Sequence, residues 1–227
     1  MWKKSLSTDS VFCDAVVANH LLTQAQMEHA ARRYRLGASR SRGVIFWQID
    51  QWERIHDGKI MYYQPDCHRD KNHKPTWVSY FLQQRYQWPD HPRASHCLFG
   101  LHLLRAEGND KSIAIVESEK TALVLSEIYP QYLWLATGGL GEVQAEKFRP
   151  LQERDITLFP DTDPDGTAFK RWSNATVEVH RQLWWEDCPP LRVSRILEDR
   201  ASPEQKRRKI DLLDYYFETV HRLPGYV

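Results

Sequence analysis

Three carboxylates at alternating positions follow an apolar run and precede a glycine in residues 155–166, which read DITLFPDTDPDG. The apolar residues 156–159 predict a short buried strand. Like charges this close repel each other and raise one another's pKa unless a cation lies between them. Carboxylate oxygens are the ligands that Mg²⁺ takes in proteins. The segment therefore predicts a divalent-metal site at the end of a strand, formed by Asp161, Asp163 and Asp165.

Two other interpretations start from the same residues. A D-x-D-x-D-G run also opens the calcium loop of an EF-hand, which needs a glutamate at its twelfth position. Counted from Asp161, that position is Trp172, which offers no oxygen ligand, so the EF-hand is disfavoured. Asp-Gly and Pro-Asp pairs are also common in solvated turns that have no function. A second acidic strand end favours the metal site over the plain turn.

That second strand covers residues 113–116 (IAIV) and runs directly into Glu117. A helical pattern follows it, and then come a third strand at 133–136 (LWLA) and a flexible turn at 137–141 (TGGLG). Alternation of strands and helices at this spacing is typical of a parallel α/β sheet. The strands of such a sheet end on one edge, where ligands bind. We therefore expect Glu117 and the Asp161 run to share one site.

This order of motifs resembles a toprim domain, the metal-binding catalytic fold of bacterial primases, type IA and type II topoisomerases and some nucleases. The sequence IVES around Glu117 resembles the topoisomerase form of the first motif, since primases more often have Gly after the Glu. The DTDPDG run that begins at Asp161 resembles the primase form of the later motif. The resemblance covers residues 109–197. It implies that Glu117, Asp161 and Asp163 are the catalytic, metal-binding acids, whereas Asp165 has no firm counterpart.

The upstream half resembles the catalytic core of DnaG-type primases, and still more a family of primase-like toprim proteins of bacterial mobile elements. The matching segments are YRLG at 34–37, VIFWQI at 44–49, DGK at 57–59, IMYY at 60–63, CHR at 67–69 and HCLFGL at 96–101. The two apolar segments at 44–49 and 60–63 predict a β-hairpin, with its tight turn at residues 57–59.

The expected fold class is α/β: a toprim domain with a small parallel sheet flanked by helices, preceded by an α+β subdomain like that of the primase core. The expected domains are residues 1–108, residues 109–197 and a C-terminal helical segment at 198–227. In that last segment Ser202 predicts the start of a helix that runs through Phe217. The sequence DLLDYY within it resembles the closing segment of primase-like toprim proteins.

Charge is divided unevenly along the chain. Residues 1–108 hold 15 Lys and Arg against 10 Asp and Glu, and the remainder holds 16 against 20. A basic half joined to a metal site suits a polynucleotide and nucleoside triphosphates as partners. The candidate contacts are Lys59 and Arg69 near strand ends, and Arg40 and Arg42 in a Ser-rich loop. A solvated surface is the alternative for these arginines.

The four cysteines are scattered, which predicts reduced thiols in a cytoplasmic protein. Five residues offer the N and S ligands of a zinc site: Cys67, His68, His73, His96 and Cys97. Adjacent pairs lack the spacing usual for zinc, so this site is disfavoured. No zinc ribbon and no P-loop motif is present, so a zinc-ribbon or helicase partner is expected. No signal peptide or membrane-spanning run is predicted.

These patterns predict a primase-like nucleotidyltransferase that depends on Mg²⁺ (or Mn²⁺). Its substrates would be single-stranded DNA and nucleoside triphosphates, in the replication of a mobile element or plasmid. Two alternatives stay open: a toprim nuclease or recombination accessory protein, and a nucleic-acid-binding module without catalysis.

Overall fold

The chain divides into two compact units in a computed structural model, residues Met1–Leu103 and Leu104–Val227. The structure describes residues 2–86, 95–106, 110–184, 188–189 and 191–220. The predicted domain boundary between residues 108 and 109 lies outside the described residues, and the division into three domains stays a prediction.

The first unit is an α+β structure built on an antiparallel sheet. Its elements are α1 (Trp2–Ser5), α2 (Val11–Ala18), α3 (Gln24–Arg33), β1 (Gly37–Ala38), β2 (Val44–Ile49), β3 (Ile55–Met61), β4 (Thr76–Trp77) and α4 (Val78–Tyr86), and α5 (Leu103–Ala106) follows. The strand order is β1-β2-β3-β4. All six residues of β2 are buried, and Phe46 contacts Phe12 of α2 edge to face at 5.6 Å between ring centroids. The predicted β-hairpin is confirmed, because β2 pairs with β3 in antiparallel register.

The turn of this hairpin lies at residues 50–54, so the predicted turn at residues 57–59 is wrong. The Asp50 carboxylate accepts hydrogen bonds from the backbone N–H groups of Trp52 and Arg54, each at 2.9 Å. An aspartate that bonds the backbone ahead of it closes a turn without help from an Asp-Gly pair. Residues 57–59 instead lie within β3, opposite β2.

Gly58 occupies a position in β3 that has no room for a side chain. A Cβ atom there would lie 2.8 Å from Cγ2 of Ile45 and 2.9 Å from the ring of Trp47. We expect Gly58→Ala to lower the free energy of unfolding by about 1–3 kcal/mol, because the added methyl overpacks the sheet. Urea unfolding measures this. The control is Gly139→Ala, where the nearest atom to a new Cβ is 3.5 Å away; equal losses in the two variants would contradict the packing argument.

The second unit is an α/β structure built on a parallel sheet. Its elements are β5 (Ile113–Val116), α6 (Glu119–Ile128), β6 (Leu133–Ala136), α7 (Ala145–Phe148), a 3₁₀ turn (Arg149–Leu151), β7 (Ile156–Phe159), α8 (Thr167–Leu183), β8 (Leu191–Val193), α9 (Ile196–Arg200), α10 (Pro203–Arg208), α11 (Leu212–Tyr215) and a π-helical turn (Tyr216–Val220). The strand order is β6-β5-β7-β8, with all pairs parallel. The predicted fold class, a parallel sheet flanked by helices, is confirmed.

Burial explains why these strands form where they do. Every residue of β5 and β6 is buried, as expected for parallel strands that are covered on both faces. The longest described helix, α8, buries Trp172, Val179 and Leu183 along one face. Within the described ranges, no helix combines the length and the apolar character needed to cross a bilayer.

The C-terminal helix is interrupted, so the prediction of one helix running through Phe217 is wrong. Helix α10 ends at Arg208, and Lys209, whose backbone is left-handed (φ 58°), caps it. The carbonyl of the next residue, Ile210, then accepts a hydrogen bond from the N–H of Thr162 at 3.1 Å. Asp211 caps the new helix α11. The break therefore lets the C-terminal segment pair with the loop that follows β7.

Candidate metal centre

Glu117 and Asp161 follow two neighbouring parallel strands. Strand β5 pairs with β7 along its whole length, ending with Val116 opposite Phe159, so both acids emerge at the same edge of the sheet. Strand β6 lies on the other side of β5, so the strand order reverses between β5 and β7. Ligands of open α/β sheets bind at such a switch point.

The Asp161 carboxyl lies in a crowded electrostatic environment. Its pKa is raised well above the usual range, first because surrounding protein removes it from water. Negative charge on Asp211, Glu117 and Asp214 raises this pKa further, and Lys120 opposes the shift. Four carboxyl groups therefore act on one another at this edge of the sheet.

Two of these acids, Asp211 and Asp214, come from the C-terminal segment. Asp211 is buried and accepts a hydrogen bond from Thr121 Oγ1 at 2.5 Å. Its other oxygen accepts a hydrogen bond from the Asp214 N–H at 2.8 Å, and the Asp214 carboxylate accepts one from the Asp211 N–H at 3.3 Å. Burial, and then the charge of Asp211, raise the pKa of Asp214 to about 6, against the effect of Lys120, whose Nζ lies 4.0 Å away.

Asp211 and Asp214 are not among the residues predicted for the site, although the DLLDYY segment that contains them resembles the closing segment of primase-like toprim proteins. Their placement depends on the pairing of Ile210 with Thr162 and on a second bond, from Thr162 Oγ1 to Glu198 Oε1 at 3.1 Å. No local pattern specifies these contacts. The signal that was present is the Asp-x-x-Asp spacing, which forms a reciprocal helix cap.

Asp163 builds the turn that starts α8. One of its oxygens accepts the N–H groups of Asp165 and Thr167 at 3.0 Å, and the other accepts the Ala168 N–H at 2.7 Å. Burial raises the pKa of Asp163, but the three backbone bonds and the charge of Lys209 outweigh it, so the pKa is lowered overall. Asp163 therefore stays ionised as a structural anchor. Its role as a metal ligand stays a prediction, as does that of the exposed Asp165.

The anchoring role of Asp163 predicts a graded loss of stability. We expect Asp163→Ala to lower the free energy of unfolding by about 1–2 kcal/mol, because three N–H groups lose their acceptor. Asp163→Asn keeps one acceptor oxygen and should lose less. Urea unfolding of the two variants measures the difference, and a fully stable Asp163→Ala protein would contradict the anchor.

The oxygen ligands available at this edge fit a hard divalent cation. The groups whose charge raises the pKa of Asp161 are all carboxylates, and the single positive charge of Lys120 does not balance them. Within the described part of the chain, however, no three His, Cys, Asp or Glu side chains are already grouped as metal ligands. The zinc ligands considered from the sequence are likewise not grouped around one point within the described residues. Two of them, Cys67 and Cys97, are buried.

The predicted nucleic-acid contacts all lie in the first unit. Lys59 is half-buried in β3, two residues before the end of that strand. Arg69 forms an isolated bridge with Tyr63. Arg42 forms an ion pair with Asp14, so its charge is partly engaged, whereas the Arg40 side chain is exposed. Their contact with nucleic acid stays a prediction.

Comparisons with solved structures concern the fold. The DnaG catalytic core aligns with a TM-score of 0.51 and 12% identity, over 93% of this chain and 84% of that one. The primase fragment of the bacteriophage T7 primase-helicase protein aligns with a TM-score of 0.46 and 18% identity, over 72% of this chain. This chain spans 60% of that fragment. A search of curated proteins finds no match.

A family profile described as a domain of unknown function, DUF6371, matches residues 12–162. The matched segment covers about two thirds of the chain, includes Glu117 and Asp161, and ends before Asp163. The description of the family states no activity. The chain therefore belongs to the DUF6371 family, and it has the fold of a primase catalytic core.

Proposed function

We propose that this protein is a toprim nucleotidyltransferase of the primase type, which uses nucleoside triphosphates on single-stranded DNA and requires Mg²⁺ (or Mn²⁺). One observation carries the proposal: Glu117 and Asp161 follow neighbouring parallel strands at the switch point of the sheet, where Asp211 and Asp214 also act on Asp161. The primase-core fold supports it.

In this proposal Glu117 and Asp161 hold the cation, and Asp211 and Asp214 are further donors. When bound, a divalent cation would supply positive charge that neutralises the phosphates in phosphoryl transfer. In the reaction, a 3′-hydroxyl oxygen forms a bond to the α-phosphorus of the nucleotide. The bond between the α-phosphorus and the oxygen that bridges the α- and β-phosphates breaks, so pyrophosphate leaves. The hydroxyl proton passes to solvent.

The chain's own residues hold these acids in position. The Thr121 hydroxyl donates a hydrogen bond to one oxygen of Asp211, and this bond fixes the orientation of that carboxylate. Lys120 lies close enough to Asp214 to lower the repulsion between the acids. Asp163 fixes the turn after β7 and so fixes the backbone that carries Asp161. Positioning of this kind is the main contribution of a protein to phosphoryl transfer.

The proposal extends to the biological setting that the resemblance implies. The protein would act in the cytoplasm, in the replication of a mobile element or plasmid. The partner would be a helicase or a protein that carries a zinc ribbon. The basic first half, with Lys59, Arg69, Arg40 and Arg42, would bind the single-stranded template.

Incubation of the purified protein with circular single-stranded DNA, labelled nucleotides and Mg²⁺ or Mn²⁺ tests the activity. We expect labelled products of primer length in the wild type and in Glu146→Gln, a control that changes an exposed acid on α7. Template cleavage without synthesis would overturn the proposal in favour of a nuclease. DNA binding without either reaction would overturn it in favour of a binding module.

A further inference from the structure

The turn after β6 lies beside Glu117, although none of its residues is among the predicted site residues. Strand β6 pairs with β5 up to Ala136 opposite Val116. Beyond that pair, the Gly138 N–H donates to the Glu117 carbonyl at 2.9 Å. Leu140 and Gly141 form a turn only two to three residues after Gly138, and so this turn lies close to the proposed metal edge.

In this turn the backbone carbonyls accept hydrogen bonds, whereas two consecutive N–H groups donate none within the described residues. The Leu140 carbonyl accepts a hydrogen bond from Trp172 Nε1 at 3.1 Å, and the Gly141 carbonyl accepts one from Gln144 Nε2 at 3.2 Å. In the described part of the chain, the N–H groups of Leu140 and Gly141 have no acceptor. Successive backbone N–H groups in a turn form a concavity that binds anions.

Arg171, on the first turns of α8, adds positive charge to this turn. Its guanidinium lies so close to Gly141 that a Cβ atom there would be 3.1 Å from Nη2. No described carboxylate forms an ion pair with Arg171, whereas Arg181 on the same helix pairs with Glu178 at 2.7 Å. The exposed Arg171 side chain is thus available for an anionic ligand.

The acid next to the turn does not cancel this charge. Glu142 accepts a hydrogen bond from Lys147 Nζ at 2.6 Å, and that lysine is nearly buried. The pair neutralises itself, so the Leu140–Gly141 turn and Arg171 together keep a net positive character. Backbone N–H groups and a guanidinium match the several oxygens of a phosphate group.

We propose that the N–H groups of Leu140 and Gly141, together with Arg171, bind the phosphates of the nucleoside triphosphate that reacts at the metal edge. This inference rests on the proposed function, since it assigns the triphosphate subsite of the same centre. The turn and Arg171 offer donors for phosphate oxygens, so the subsite recognises the triphosphate group.

Binding of a fluorescent nucleoside triphosphate in the presence of Mg²⁺ tests the subsite. We expect Arg171→Ala to weaken binding by about tenfold or more, as for loss of a charge-assisted hydrogen bond, and Arg181→Ala to leave it unchanged. Gly141→Ala should also weaken binding, because its methyl displaces the guanidinium, whereas Gly139→Ala should not. Inorganic tripolyphosphate should displace the probe from the wild type and less effectively from Arg171→Ala. Circular dichroism establishes that each variant is folded.

Parallel measurement of single-stranded DNA binding by fluorescence anisotropy separates the two sources of phosphate. Unchanged DNA affinity in Arg171→Ala supports a triphosphate subsite. Weaker DNA binding with unchanged triphosphate binding would overturn the inference, as would a wild type that binds no triphosphate. If Arg171 governs triphosphate binding but the wild type synthesises nothing, the subsite stands and the proposed primase activity fails.

Discussion

Glu117→Gln and Asp161→Asn are expected to reduce nucleotide incorporation by roughly 10³-fold, because each removes a carboxylate proposed to hold the cation. Both changes keep the size of the side chain. Glu146→Gln, an exposed acid of the same unit, should retain wild-type activity. The measurement is the rate of labelled nucleotide incorporation on single-stranded DNA at saturating Mg²⁺.

The stability of the same variants distinguishes a functional loss from misfolding. Asp161→Asn removes one of several like charges that act on one another, so the metal-free variant should be at least as stable as the wild type at pH 8. Wild-type incorporation by either Glu117→Gln or Asp161→Asn would contradict the assignment of these acids. So would an inactive Asp161→Asn protein that is also unfolded, since the loss would then be structural.

The second large effect is a pH-dependent stability that a divalent cation removes. In the second unit, the pKa values of Asp161 and Asp214 are raised above those of the unfolded chain, that of Asp214 to about 6. The folded state therefore binds more protons than the unfolded state at intermediate pH. The stability from these groups is fully present below about pH 4 and is lost as the pH rises through the folded pKa values.

We expect the free energy of unfolding in EDTA to fall by about 2 kcal/mol between pH 4.5 and pH 7.5. Carboxyl groups whose pKa values are lowered, such as Asp50 at about 2, change stability mainly below this window, and in the opposite direction. Mg²⁺ should restore the stability at pH 7.5, and Asp214→Asn should flatten the dependence. Urea unfolding followed by tryptophan fluorescence gives these values, and a stability that rises with pH in EDTA would contradict the account.

The parallel sheet was largely predictable from the sequence. Strands β5, β6 and β7 have the predicted bounds because each is an apolar run that ends at a carboxylate, a Gly-rich turn or a proline. Right-handed crossovers then bring Glu117 and Asp161 to the same edge without further information. Both inferences depend on short-range patterns and on topology rules that hold for most parallel sheets.

The rest depended on contacts between distant residues. The Asp57-Gly58 pair has the sequence of a turn. However, the Asp57 carboxylate accepts hydrogen bonds from the Ser79 N–H at 3.0 Å and from the Ser79 hydroxyl at 2.5 Å, and these bonds hold the pair within β3. Likewise, Lys209 breaks the C-terminal helix and brings Asp211 towards the site. No local propensity encodes either contact, so the predicted turn is misplaced and the C-terminal acids are missing from the predicted site.

The most direct test of the metal centre is an anomalous diffraction map from crystals of the protein soaked in Mn²⁺. The account predicts a peak between the ends of β5 and β7, within coordination distance of oxygens of Glu117 and Asp161, and no such peak in Asp161→Asn crystals. Absence of a peak there in the wild type, at a Mn²⁺ concentration that supports nucleotide incorporation, would contradict it.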